Sequence, residues 1–356
     1  MRVSLCTVCM NRAQHIKQTL ERNILDNLDH EETEVILIDY NSRDDLETYV
    51  RDQLSAYIDA NRLIYYKTRT PEYFNRSHSR NIAFRLATGD IICNVDADNF
   101  TGPGFAAYLD AIFKSTRDQF FYANERFDVI GRIAVRRENF YKVGGFDERM
   151  VFYGFEDTDF MHRLMKSGLR PGVIGEKHFL SALTHSNKER MANEYVVNNF
   201  CTLFVGYVDY ASSKILVLFI NNSFFTGTLI NRQNLQMDAP DFTDKRQQYD
   251  FTVGENKWLE GRWERQEAGY HFSYGGDQAL TLLPSGGERW KCRDTGAVYH
   301  EVTNKTMVEE ALFFYSQLTN RMVFENNQAS PEYVVNGGSF GRDTVYKNFN
   351  LTPIAL

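Results

Sequence analysis

The first half of the chain alternates between two hydrophobic periods. Val3 to Val8 is a near-continuous apolar run and reads as a buried strand. Ile16, Leu20 and Ile24 then recur every four residues, which predicts a helix with one apolar face. Val35 to Ile38 is a second strand, and Leu46, Val50, Leu54 and Ile58 predict a second amphipathic helix. Leu63 to Tyr66, a helix over Ser77 to Leu86, and Ile91 to Val95 continue the alternation. Continuous apolar strands separated by helices predict a parallel sheet covered on both faces. Ligands of such sheets sit beyond the carboxyl ends of the strands. The polar residues found there are Asn11-Arg12, Asp39-Tyr40-Asn41 and Asp96-Ala97-Asp98.

After about Asp209 the pattern changes. Lys214 to Ile220 and Phe224 to Ile230 flank Asn221-Asn222-Ser223, a hairpin signal. From Phe251 short aromatic runs alternate with turn signals at Gly254, Gly261, Gly275-Gly276, Pro284-Ser285-Gly286-Gly287 and Gly296, and Tyr270 to Tyr274 alternates with the strand period. An all-β domain is expected here. The expected organisation is an α/β domain over residues 1–210 and a smaller β-rich domain over 211–356, with the boundary between His185 and Ser213. The second domain holds Trp258, Trp263 and Trp290, which leaves two uses open: gripping an acceptor, or burying an aromatic face against another copy of the chain.

A length of 356 residues suits two domains, and 43% hydrophobic with 24% charged residues is ordinary for a globular protein. The net charge of −7 argues against a general nucleic-acid binder, which needs a basic stripe. It leaves room for a phosphate-bearing substrate, because a divalent cation supplies positive charge locally. The five cysteines give neither a disulfide framework nor a zinc spacing, and Cys6 to Cys9 spells C-x-x-C inside a strand rather than at a helix start. A reducing compartment is expected, so the cytoplasm or the inner face of a membrane. No run reaches transmembrane length, and the start of the chain does not read as a signal peptide.

Asp96-Ala97-Asp98 puts two carboxylates in one turn after a strand. Two such groups suit a hard divalent cation that shares its other positions with phosphate and water; by itself the tripeptide is far more often an Asx-rich strand end, and its context decides. Its context runs from Ser79-Arg80-Asn81 through Gly89-Asp90 into the strand, and Arg80 has the forked donors that suit a diphosphate. A second element, Gly144-Gly145-Phe146-Asp147-Glu148, is followed by Gly154-Phe155-Glu156-Asp157-Thr158-Asp159. Adjacent carboxylates where a loop meets a helix can divide labour, one orienting a hydroxyl and one taking its proton.

Together these elements resemble the family-2-type glycosyltransferases, and the second is similar to the β-1,4-galactosyltransferase C-terminal motif; the resemblance covers residues 1 to about 187. It implies a GT-A-like nucleotide-sugar-binding domain that moves a sugar from a nucleoside-diphosphate donor, UDP-linked by family frequency, to a hydroxyl of a glycan or glycolipid, with inversion and with Mn2+ or Mg2+. It implies roles residue by residue. Asp98 is the metal ligand, and Asp96 touches ribose or metal. Asp157 is the base and Glu156 its acceptor-binding neighbour. Arg80 binds the donor, and Thr7, Asn11 and Asp39 lie near the nucleotide base. The family's D-D-G-S-x-D stretch reads Asp39-Tyr40-Asn41-Ser42-Arg43-Asp44 here, without its second acid and its glycine. A late histidine of the family corresponds to His185, with His178 as its competitor. Tyr153 and Phe155 bracket Gly154 and suit either stacking on an acceptor sugar or ordinary packing.

Two rival classes remain. A sugar nucleotidyltransferase carries a Gly-rich loop after its first strand, whereas Cys9-Met10-Asn11-Arg12-Ala13 has no glycine. A non-catalytic carbohydrate-binding or scaffolding protein is compatible with the aromatic β domain, but the presence of both acidic motifs speaks against it.

Overall fold

The computed structural model describes residues 1–123, 129–208, 212–231, 251–253 and 258–356. The contacts divide the chain into two units, Met1–Ser186 with Gln317–Leu356, and Asn187–Ser316. The expected boundary at residues 210 and 211 and the expected turn at Gly254 lie outside the described residues.

The first unit is an α/β layer structure built on a sheet of nine described strands. From one edge these are Pro353–Ala355, Thr344–Lys347, Leu63–Thr68, Thr33–Tyr40, Val3–Cys9, Ile91–Asn94, Ile133–Arg136, Gln119–Ala123 and Arg170–Ile174. The four strands expected from the apolar runs form its parallel centre. Alternate residues of Val3–Cys9 serve two cores, Val3, Leu5 and Cys9 on one face and Cys6 and Val8 on the other, as a sheet covered on both sides requires.

The sheet is mixed rather than wholly parallel, because Ile133–Arg136 runs antiparallel to Ile91–Asn94, and Thr344–Lys347 runs antiparallel to Leu63–Thr68. The residues that close the chain therefore belong to the first unit rather than to a β domain spanning 211–356. The expected single helix from Leu46 is two, Leu46–Gln53 and Ser55–Asp59, broken at Leu54 (φ −117°, ψ 7°). Leu46, Val50 and Leu54 are still fully buried, so the apolar spacing outlasts the break.

The second unit contains a closed antiparallel barrel. Strands Phe200–Tyr207, Ser212–Phe219, Ser223–Asn231, Leu259–Gln266, Gly269–Tyr274, Gln278–Pro284, Arg289–Cys292 and Val298–Glu301 pair in a ring, and Phe251–Val253 adds to Ser223–Asn231. Eight strands enclose just enough room for side chains. Phe204, Leu216, Phe224, Phe272, Leu282 and Trp290 fill it. Gly261, read as a turn, lies inside a strand: a Cβ there would come within 2.3 Å of the Ser273 carbonyl and 2.4 Å of the Phe224 ring. The region is not all β. Lys305–Ala329 is a helix, counted with the second unit up to Ser316 and with the first from Gln317. Among the described residues no helix is long and apolar enough to cross a membrane.

Candidate active site

The order of the central strands reverses at Val3–Cys9, which has Thr33–Tyr40 on one side and Ile91–Asn94 on the other. A crevice opens at such a switch point, and the sequence-marked acids lie at its mouth. Val95 N–H donates to the Cys6 carbonyl (2.8 Å), which carries the pairing one residue past Ile91–Asn94, so Asp96 lies just beyond the carboxyl end of that strand, beside the first.

Arg80 is the centre of the site. It lies on the helix Arg76–Leu86, started by Asn75, whose side chain accepts from His78 N–H. Arg80 Nη2 donates to Asp96 Oδ1 at 3.1 Å, and Nη1 donates to Asp157 Oδ1 at 2.9 Å and to Glu156 Oε1 at 3.2 Å. The two acidic motifs thus converge on one guanidinium whose side chain is 5% exposed. Arg80 had been expected to bind donor; here both Nη groups are committed to carboxylates, and the buried Nε has no partner. Gly131 makes room for the pair, since a Cβ there would lie 2.5 Å from Asp96 Oδ2.

Three carboxylates bond one buried guanidinium, with the buried Arg76 as a second cation acting on Asp96 and Asp157, and the consequences divide unequally. Burial opposes ionisation of Asp96, but Arg80 and the Asn94 amide (2.8 Å) hold it below the ordinary carboxylate value. Asp157 goes the other way. Burial, with the charges of Glu156 and Asp96, pushes it up to about 7 against the pull of Arg80 and, less strongly, of Arg76. Glu156 keeps one oxygen, Oε2, buried with no hydrogen-bond partner.

The acid pair opens the helix Glu156–Lys166, where negative charge is favoured. The turn into it is strained at Phe155, whose φ of 67° is uncommon for a bulky residue, while Gly154 before it takes φ 92° without cost. Tyr153 lies under Arg76, whose guanidinium is 4.5 Å from the ring centroid, and burial raises its phenol to about 12. Phe155 packs against Phe324 at 5.8 Å.

Asp98 lies apart from the Arg80 cluster. His185 Nε2 is in direct contact with its Oδ2, and Arg12 Nη1 is 3.9 Å from the same oxygen. A short ribbon, Asn99–Phe100 paired with Ser181–Ala182, brings His185 to this place, and Leu183 N–H donates to the Asp98 carbonyl (2.8 Å). His178 is exposed and lies over Phe179, at 3.9 Å between ring centroids. Asn99 donates to Asp98 Oδ1 (2.8 Å) and accepts from the fully buried Arg132 (3.2 Å), support that the motifs did not reveal.

A carboxylate oxygen beside an imidazole nitrogen is a donor pair suited to a manganese-type ion. Asp96 does not complete it, because its carboxylate faces Arg80. Among the described residues no group of three or more His, Cys, Asp or Glu could hold a metal by itself.

The residues expected near the base are less open. Thr7 is buried in the first strand. Asn11 takes a left-handed conformation (φ 52°), and its Oδ1 accepts from Arg43 N–H. Asp39 is fully buried, accepting from Ser42 N–H (2.7 Å), Tyr65 hydroxyl (2.7 Å) and Lys67 (3.1 Å). In the second unit Trp258 and Trp290 are each 8% exposed, which removes them as sugar platforms. Trp263 is half-buried and donates to the Phe219 carbonyl (3.0 Å).

Residues 4–170 match the model of Glycosyl transferase family 2. None of the curated proteins matches the chain. Three solved structures show similarity to part of this chain. A mannosyltransferase from Pyrobaculum calidifontis, in complex with GDP-Man and Mn2+, is 22% identical over 49% of this chain and 55% of that one, with a TM-score of 0.42. A fragment of TarS from S. aureus is 17% identical over 50% and 59%, with a TM-score of 0.43. A Drosophila β-1,4-galactosyltransferase 7 mutant, complexed with manganese, UDP-Gal and xylobiose, is 15% identical over 53% and 74%, with a TM-score of 0.36. The chain spans little more than half the length of the first two.

Proposed function

We propose, from the premise that residues 4–170 form a family-2 glycosyltransferase domain, that the protein transfers a sugar from a nucleoside-diphosphate donor to a hydroxyl of a glycan or glycolipid. The observation that carries this reading is Arg80 bridging Asp96 to Glu156 and Asp157. A structural ion pair needs one acid, whereas here three acids gather on one buried guanidinium, with Arg76 as a further cation acting on Asp96 and Asp157, an arrangement larger than an ion pair requires.

Asp157 is the base. Its carboxyl is poised near neutrality, where a group can both hold and give up a proton. It takes the acceptor hydroxyl proton as that oxygen bonds to the anomeric carbon and the bond from carbon to diphosphate oxygen breaks, so the anomeric configuration inverts. Glu156, with its unpartnered Oε2, orients the hydroxyl. Arg80 fixes both acids against Asp96. Asp98 and His185 would hold a divalent cation, which when bound offsets the charge of the diphosphate. UDP is the first nucleotide to test. The barrel is an accessory module for self-association, or else for the acceptor; a monomeric full chain in solution would remove the first of these.

The test is Asp157→Asn. It should titrate with UDP in manganese as the parent does, while sugar transfer falls by about 10²–10⁴-fold, the range for losing a general base. A product of retained configuration would overturn the single displacement.

A further inference from the structure

The final turns of the helix Lys305–Ala329 carry Gln317, Asn320, Phe324 and Asn327, spaced by three, four and three residues and therefore on one face. All four address the acid-bearing loop. Gln317 lies over Gly154, where a Cβ would meet its Cγ at 3.3 Å. Asn320 donates to the carbonyls of Phe152 and Gly154, both at 2.7 Å, and accepts from Phe152 N–H at 3.3 Å. Phe324 packs 5.8 Å from Phe155 and 5.8 Å from His162. Asn327 donates to Asp147 Oδ2 and Asp159 Oδ1, each at 2.8 Å, and accepts from Arg149 (2.6 Å). Lys166, at the far end of the acid-bearing helix, donates to the carbonyls of Asn327 (2.8 Å) and Gln328 (2.9 Å).

A fully buried amide costs stability unless it is satisfied. Asn320 makes three bonds, all to the backbone of residues 152 and 154. These are the residues just before Phe155, whose left-handed conformation costs energy and persists only where its surroundings hold it. Asn327 ties the Asp147 of the first acidic element to Asp159, one turn beyond the acid pair.

We infer that Asn320 and Asn327 are positioning residues for sugar transfer: the C-terminal helix holds the Phe152–Gly154 turn and the start of the helix Glu156–Lys166, so that Glu156 and Asp157 meet Arg80. The inference rests on the proposed roles of those two acids. It places part of the transfer machinery outside residues 4–170, in a segment the family match does not include.

The experiment compares Asn320→Ala and Asn320→Asp in the full chain with the exposed control Asn326→Ala. Asn320→Asp keeps size and the acceptor but sets a carboxylate against two carbonyl oxygens. Amide hydrogen exchange is read at residues 152–157 and at Val3–Cys9, and hydrolysis is read on UDP-glucose, UDP-galactose, UDP-N-acetylglucosamine and GDP-mannose. Both Asn320 variants should exchange about 10-fold faster at 152–157 and unchanged at Val3–Cys9. Their kcat should fall by about 10²-fold with donor KM unmoved, as misplacing a catalytic group does. Unchanged exchange at 152–157, or equal acceleration in both segments, overturns the inference. A parent chain that hydrolyses none of the donors instead overturns the transferase reading, and the exchange arm still decides whether Asn320 holds the loop.

Discussion

The acid cluster of the first unit and the barrel of the second are both buried, yet they bury opposite things. In the barrel, rings meet rings: Phe224 lies edge-on to Phe272 at 4.9 Å, and Phe204 to Trp290 at 5.7 Å. Such packing gains from apolar area and from ring geometry, and it needs no partner chemistry. In the cluster a guanidinium and three carboxylates share a site with little water, where desolvation cancels much of the Coulombic gain. The packing inside the barrel is explained by stability alone. The cluster is not, and that asymmetry is the ground for proposing it as the site.

Substitutions that remove one centre at a time break the comparison most clearly. Arg80→Met should have the largest effect, because it removes the guanidinium that all three acids bond and leaves only Arg76 acting on Asp96 and Asp157. A loss of about 3–5 kcal/mol of stability is expected, along with donor hydrolysis, measured by denaturant unfolding and by nucleotide release. Its activity profile, where measurable, should move to higher pH, because Arg80 is the charge that pulls Asp157 down.

Trp290→Ala in the barrel should cost a comparable or smaller amount, about 3–5 kcal/mol for a large buried side chain. It should leave the donor KM of the folded fraction unchanged. A shifted KM would mean that the two units do not divide the work.

The pH dependence sharpens the same contrast. Asp157 must be ionised to act, so hydrolysis should rise about tenfold per pH unit toward pH 7 and level off above it. Stability runs the other way. A carboxyl raised from 3.8 to about 7 binds its proton more tightly when folded, so its contribution is full below 3.8 and is lost as pH rises through 7. Asp157→Asn should flatten both curves.

The smallest expected effect concerns the cation. Chelation should weaken UDP binding to the parent, and Asp98→Asn should reproduce that weakening without unfolding the chain. Equal UDP affinity in manganese and in chelator would remove Asp98 and His185 as a metal site.

The parallel centre of the sheet was legible because its strands are continuous apolar runs: Val35 to Ile38 has no polar interruption. The acids were legible because ligand crevices lie past strand ends, and Asp96 to Asp98 follows Ile91–Asn94 directly. What pattern did not carry was distance. Thr344–Lys347 pairs with Leu63–Thr68 across most of the chain, and no local period marks such a pairing. The helix Lys305–Ala329 was hidden because Met307, Val308, Leu312, Phe313, Phe314 and Tyr315 leave it no clean polar face. The engagement of Arg80 with three acids was equally invisible, since two of its partners lie 76 and 77 residues further along.

The central claim, that the Arg80 cluster is a sugar-transfer centre, is tested most directly by nucleoside-diphosphate release. The parent chain and Asp157→Asn are incubated in manganese with the three UDP-sugars and GDP-mannose. Release by the parent from at least one donor, reduced by about 10²-fold or more in Asp157→Asn with nucleotide binding retained, is the predicted result. Undiminished release by Asp157→Asn, or none by the parent from any donor, would contradict it.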